Sequence, residues 1–222
     1  MSTYVLMRIL ESAPSRYDRG LRLLTLGRLD GVYDHLASHI EEEQRVLDVG
    51  CGTGALTVRA ALRGARVKGI DVNPQVLEIA QQRIKEANPP QEVELCQIGV
   101  AELGAEEAQS YDVVMSGLCF SELTEDELVY ALREVERILK PGGTLLIADE
   151  VQPASLGKRV LHGLLRFPLA LITYLITQTT TSAVKNLPGR IKEAGLCVES
   201  VRWSSLDSFM ELLARKPAGG AE

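Results

Sequence analysis

Apolar residues follow two alternating rhythms along the chain. Short runs rich in Val, Ile and Leu occur at RVLDVG (45–50), RVKGID (66–71), EVELCQI (92–98), YDVVMSG (111–117) and GTLLIAD (143–149). Such runs predict strands covered on both faces, as in a parallel sheet. Between them the apolar positions shift to helical spacing. Leu77, Ala80, Ile84 and Ala87 recur behind Asn73 and Pro74, residues suited to an N-cap and a first helical position. Leu128, Leu132, Val135 and Leu139 recur behind TEDE (124–127), a capping-box pattern, and KPGG (140–143) stops that helix. Alternation of strand and helix from Arg45 to Asp149 predicts a doubly wound α/β sheet with helices on both faces. Residues 17–40 predict helices that cover the sheet edge, and LCVESVRW (196–203) and SFMELLARK (208–216) predict a closing strand pair.

Composition adds a compartment and a charge asymmetry. With 222 residues, 45% hydrophobic and 24% charged, the chain suits one soluble domain with a sizeable core. Cys51, Cys96, Cys119 and Cys197 form no CxxC pair and no zinc spacing, which fits a reducing, cytoplasmic compartment. The first apolar run is broken by Arg8 and has no small-residue cleavage site after it, so no signal peptide is expected. From 153 to 192 the chain has Lys158, Arg159, Arg166, Lys185, Arg190 and Lys192 and no acid. Those six of the 24 basic residues leave 18 against 30 acids elsewhere, or −12. The same stretch holds FPLALITYLI (167–176), shorter than the roughly 20 apolar residues a bilayer requires. It reads either as a core cover whose charges reach into water or as a lid over an acceptor site. As a lid it favours an anionic acceptor, an acidic protein or an anionic membrane surface. The acidic body, without interleaved stacking aromatics, argues against nucleic acid.

VLDVGCGTG (46–54) carries the chemistry. A strand entering a glycine-rich turn and then a helix offers free N–H groups and a positive dipole end to a partly anionic ligand. Gly50, Gly52 and Ala55 also satisfy G-x-G-x-x-A, with Asp71 twenty-one residues beyond Gly50, so a dinucleotide competes as the ligand. Asp48 weighs against it. An acid where a buried strand prefers an apolar residue faces the ligand and suits a cationic group. S-adenosylmethionine, with a carboxylate, an ammonium and a ribose, meets both features.

These motifs, with GIDVN (69–73), YDVVMSG and LKPGGTLLIAD (139–149), resemble the class I S-adenosylmethionine-dependent methyltransferases in order and spacing. The resemblance implies a Rossmann-like seven-stranded sheet with its last strand antiparallel. It also implies Asp71 holding the ribose hydroxyls, and S-adenosylhomocysteine as product. Gly50, Cys51, Gly52 and Gly54 would approach the methionine moiety, with Asp48 at its ammonium. Where the family often has an acid after the third strand, this chain has Val100 in IGVAEL (98–103). Adenine then relies on the backbones of Val100 and Ala101 and on stacking by Val72. ILESAPSRYDRG (9–20) and RFPLALITYLITQTTT (166–181) resemble the corrinoid protein-associated methyltransferases, and the body also resembles quinone-biosynthesis carbon methyltransferases. The expected acceptor is therefore a corrinoid-linked substrate or protein, or else an apolar anionic metabolite. A non-catalytic cofactor-binding partner of a corrinoid protein is a third reading.

The Asn/Asp-Pro-Pro-aromatic motif of amino methyltransferases is absent after the fourth strand, where the chain reads SGLCFSEL (116–123). Ser116, Leu118 and Cys119 are candidates for the methyl pocket or for plain strand-end packing. No general base is identified; the catalytic candidates are Tyr17 and His162. Tyr17 matches a tyrosine near the start of the quinone-type relatives and reads as closing over the cofactor or as part of a plain edge helix. His162 reads as an acceptor-site base or as core or surface filler. His35 and His39 have metal spacing but no third ligand nearby and read as a solvated face, so no metal is expected. The chain is expected to form one domain over 1–216. A helical cover spans 1–44, a cofactor-binding core 45–152, a helical lid 153–192 and closing strands 193–216, with a disordered tail at 217–222.

Overall fold

The computed structural model describes residues 28–151, 184–203 and 209–219. Tyr17, His162, Lys158, Arg159, Arg166 and the run 167–176 lie outside the described residues.

Seven strands form one sheet: β1 (Arg45–Val49), β2 (Arg66–Ile70), β3 (Val93–Cys96), β4 (Tyr111–Gly117), β5 (Leu139–Glu150), β6 (Cys197–Trp203) and β7 (Phe209–Arg215). Their order is β3-β2-β1-β4-β5-β7-β6. The pairs from β3 to β5 are parallel, while β7 runs antiparallel to both β5 and β6. The five apolar runs thus become the parallel strands, and the last strand slots between β5 and β6 as the one reversed strand. Five helices are described: α1 (Arg28–Ala37), α2 (Ala55–Leu62), α3 (Pro74–Ala87), α4 (Glu125–Ile138) and α5 (Leu187–Glu193). Short 3₁₀ turns follow β3 (Val100–Ala105) and β4 (Phe120–Glu122).

Local signals set the helix starts. Asn73 accepts from the Gln75 N–H with Pro74 in the first turn, and Thr124 and Glu127 form a reciprocal capping box. The α4 stop falls earlier than expected. Leu139 is the C-cap of α4 and the first residue of β5, fully buried, rather than the last residue of the helical stripe. KPGG then takes up a register shift between β4 and β5, with Gly142 at φ 78°.

Two apolar layers sandwich the sheet. Leu47, Val49, Val114, Leu145 and Ile147 face α4 and α5, where Leu132, Val135, Leu187 and Ile191 meet them. Val46, Val113, Met115, Leu146 and Ala148 face α1 and α2. The helical cover therefore differs from expectation in its described part. Leu29, Tyr33, Leu36 and Ile40 lie on the central strands, not over an edge. Spacing told that this helix buries one stripe but not which part of the sheet receives it. The end of the expected lid likewise belongs to the core. Val184 bridges Val151, Leu187 and Ile191 are buried, and Arg190 pairs with Glu125 at the start of α4. One of the six cations of that segment thus serves the fold. No helix among the described residues is long and apolar enough to cross a membrane.

Candidate functional site

The strand order reverses between β1 and β4, and at the carboxyl ends of these strands a cavity of about 660 Å³ opens. Such a crevice is where open α/β sheets hold ligands, and its volume suits a nucleoside-sized molecule.

The glycine turn forms its floor. The N–H groups of Gly50 and Cys51 both donate to Ile70 O at 2.9 Å, folding the chain back from β1. Gly50, Gly52 and Gly54 have φ of 69°, 52° and 74°, the left-handed region that a side chain resists. Their surroundings differ. A Cβ on Gly50 would lie 2.4 Å from Cys119 Cβ, and one on Gly54 would lie 3.0 Å from Ala80 Cβ. One on Gly52 would meet nothing within 4 Å. Two glycines therefore let the protein close on itself, against the β4 exit and α3. Gly52 alone faces open space. Gly50, Cys51 and Gly52 line the cavity, and Gly54 serves instead as the N-cap of α2.

Two acids stand over this floor. Alternation in β1 sends Asp48 to the α1/α2 side, where it is 1% exposed. Its Oδ2 accepts the Thr57 hydroxyl at 2.6 Å, while its Oδ1 is buried with no hydrogen-bond partner. Burial pushes this carboxyl up to about 7 against the help of Thr57. Asp71, one residue beyond β2, accepts from the Gly52 N–H at 2.9 Å through Oδ2 and from the Asn73 N–H at 2.9 Å through Oδ1. It both ties the glycine turn to β2 and shapes the entry to α3. Burial raises its pKa in spite of those bonds.

The remaining expected residues divide. Val72, 68% exposed, lies at the rim, and Val100 and Ala101 line the wall beyond it. Leu118 and Cys119 line the β4 side, where burial pushes the Cys119 thiol well above its ordinary range. The Cys51 thiol is raised for the same reason, so neither is primed as a nucleophile. Ser116 is not on the wall. It is fully buried and donates to Val49 O at 2.9 Å, linking β4 to β1. His35 Nδ1 lies 2.9 Å from Glu211 Oε2, away from the cavity.

The sequence reading missed Tyr33. This α1 residue lines the cavity with its ring against Gly117, where an added Cβ would lie 2.6 Å from the hydroxyl oxygen. Burial, then the charges of Asp48 and Asp149, raise its pKa. Its place in an amphipathic stripe gave no hint that the stripe ends at β4. Thr57 was legible in principle, since a buried acid needs a donor and a hydroxyl on the apolar face of the next helix is the obvious one. Glu102, Glu122 and Glu127 also line the cavity, though as capping or turn residues they read only as surface acids.

Comparison with known proteins agrees with this arrangement. Residues 46–143 match a family model described as a methyltransferase domain. A demethylmenaquinone methyltransferase of Chlorobaculum tepidum is 32% identical over 153 residues, covering 65% of this chain and 59% of that protein. The chain spans about half the length of the curated relatives it matches. Among solved structures, an S-adenosylmethionine-dependent methyltransferase from Methanosarcina mazei superposes with a TM-score of 0.64 at 20% identity, covering 82% and 96% of the two chains. The [4+2]-cyclase SpnF superposes with a TM-score of 0.68 at 20% identity, covering 86% and 81%. The fold is therefore shared with a protein named for a different reaction. Residues 46–143, from β1 into β5, are thus similar to a methyltransferase domain, on a seven-stranded sheet whose fold superposes with that of an S-adenosylmethionine-dependent methyltransferase.

Proposed function

We propose that the cavity binds S-adenosylmethionine and that the protein transfers its sulfonium methyl to an acceptor held on the β4 side. One observation carries the reading: Asp48 Oδ1 is buried without a donor in a cavity of nucleoside size. A ligand ammonium supplies the missing donor. Gly52 leaves room for the methionine moiety, Asp71 accepts from the ribose hydroxyls, and Val72, Val100 and Ala101 flank the adenine. A dinucleotide fits less well, because its pyrophosphate meets no basic side chain among the described lining residues.

The ligand supplies a methyl already activated for in-line displacement. The chain's task is to orient, exclude water and, where the acceptor carries a proton, accept it. Positioning alone supplies on the order of 7 kcal/mol in favourable cases. Leu118, Leu123 and Tyr33 give the β4 side an apolar wall, which together with the demethylmenaquinone methyltransferase relative favours an apolar ring acceptor. The corrinoid-linked acceptor, or a corrinoid protein as partner, rests on segments outside the described residues. The two acceptors are separated by supplying a demethylquinone or a cell extract with methyl-labelled cofactor and identifying what becomes labelled. Calorimetry that detects S-adenosylmethionine binding, followed by labelled product, supports the proposal. Binding without any transfer leaves a cofactor-binding partner, and NAD binding in its place overturns the assignment.

A further inference from the structure

The end of β4 brings Gly117 and then Leu118 to the cavity, neither with a polar side chain. A polar atom reaches that place from α1 instead. The Tyr33 ring lies so close on Gly117 that a Cβ there would be 2.6 Å from the hydroxyl oxygen and 2.9 Å from two ring carbons. The Arg59 guanidinium of α2 stands 5.8 Å from the ring centroid, itself held by Asp34 at 2.6 Å and Asp30 at 2.9 Å. Packing against β4 and α2 therefore fixes the ring without any ligand. The residue is 7% exposed, yet its hydroxyl makes no hydrogen bond to another described residue. Phenylalanine would fill the same space and leave no polar atom to satisfy. Burial, then the charges of Asp48 and Asp149, raise the phenol pKa against the pull of Arg59. The hydroxyl thus keeps its proton and offers the cavity a donor, not a base.

Resting on the function proposed above, we propose that the Tyr33 hydroxyl selects and positions the methyl acceptor, donating a hydrogen bond to an uncharged carbonyl or hydroxyl oxygen carried on an apolar ring. The strand order lays out the cavity. Val100 and Ala101 follow β3, Asp71 follows β2, and Asp48 and the glycine turn end β1. The groups of the cofactor take these three places and leave the end of β4, where the tyrosine stands. Leu118 and Leu123 surround that place with apolar surface, so the hydroxyl is a single directional contact on a wall that otherwise grips a ring by its faces. The oxygen it takes is uncharged, because Asp48 and Asp149 lie near enough to bear on the phenol and would repel a carboxylate placed beside it. One directional bond fixes which edge of the ring faces the sulfonium methyl, the orientation that in-line displacement requires.

The test uses 1-tetralone and tetralin, fused rings that differ by one carbonyl oxygen, which accepts a hydrogen bond and has no proton to donate. The full chain, saturated with S-adenosylhomocysteine, is titrated with each. The wild type should hold 1-tetralone about 3- to 10-fold more tightly than tetralin, the worth of one hydrogen bond. Tyr33→Phe should bring the two rings within about twofold of each other and leave the Kd values of tetralin and S-adenosylhomocysteine within about twofold of wild type. Its thermal midpoint should be no lower than that of the wild type, since it removes a hydroxyl without a partner. Equal affinity for the two rings in the wild type, or failure of both to bind, overturns the acceptor role and leaves the cofactor site standing. Weakened S-adenosylhomocysteine binding in the variant assigns the hydroxyl to the cofactor and overturns the role as well. A lowered midpoint shows the hydroxyl bonded within the fold, with the same consequence. Failure of the wild type to bind S-adenosylhomocysteine overturns both this role and the function it rests on.

Discussion

Replacing Asp48 by Asn should stabilise the ligand-free protein at alkaline pH while weakening ligand binding. The Asp48 carboxyl sits at about 7 in the folded chain against an ordinary 3.8. A raised carboxyl pKa means that the folded state binds the proton more tightly than the unfolded state. Stability is therefore lost as pH rises from about 3.8 and is fully lost above about 7. Three units at 1.36 kcal/mol each make the total near 4 kcal/mol. Asparagine keeps an acceptor for Thr57 but turns an unsatisfied amide into the cavity, which costs about 1–3 kcal/mol regardless of pH. The clean readout is thus the pH dependence of the difference between the two proteins. Between pH 5 and pH 8 the variant should gain roughly 2–3 kcal/mol on the wild type. That corresponds to about 4–12 °C in thermal midpoint for a chain of this size. Paired urea or thermal melts at the two pH values measure it, and an equal gap at both would refute the buried, cation-starved carboxylate. In the same variant S-adenosylmethionine affinity at pH 8 should fall by about 1.5–3 kcal/mol, the worth of a charge-assisted hydrogen bond.

The glycine turn gives a paired prediction. Gly50→Ala drives a methyl into Cys119 from a left-handed backbone and should destabilise by roughly 2–4 kcal/mol in chemical melts. Gly52→Ala meets open space and should cost only about 1–2 kcal/mol from its φ, yet weaken ligand binding in titrations. Asp71→Ala should reduce S-adenosylmethionine affinity by about 1.5–3 kcal/mol, and amide hydrogen exchange at Gly52 should quicken, because the carboxylate also holds that N–H. Wild-type exchange in the variant would show that the crosslink to the glycine turn is not formed.

Much of this architecture was legible in the chain. Continuous apolar runs announce strands buried on both faces, and Asn73, Pro74 and the Thr124–Glu127 box announce helix starts through bonds spanning only a few residues. Asp48 and Asp71 stood out because charge at the end of a buried strand needs a reason. Local pattern also misled. Leu139 fits the helical stripe by spacing, but the bulge against β4 draws it into β5. Ser116 was open between a pocket wall and strand-end packing by pattern alone, and its hydroxyl turns inward onto Val49 O as packing.

The sequence by itself determined the alternation of elements, their caps and the two acids beside the glycine turn, since these rest on interactions within a turn or on the two-residue period of a strand. Only the tertiary structure decided what surrounds those acids. Tyr33 comes to Gly117 from 84 positions away, Cys119 fills the space above Gly50, and Asp48 is left with a bare oxygen inside the crevice. Burial and an absent partner are properties of the closed packing between distant segments, and no local spacing encodes them.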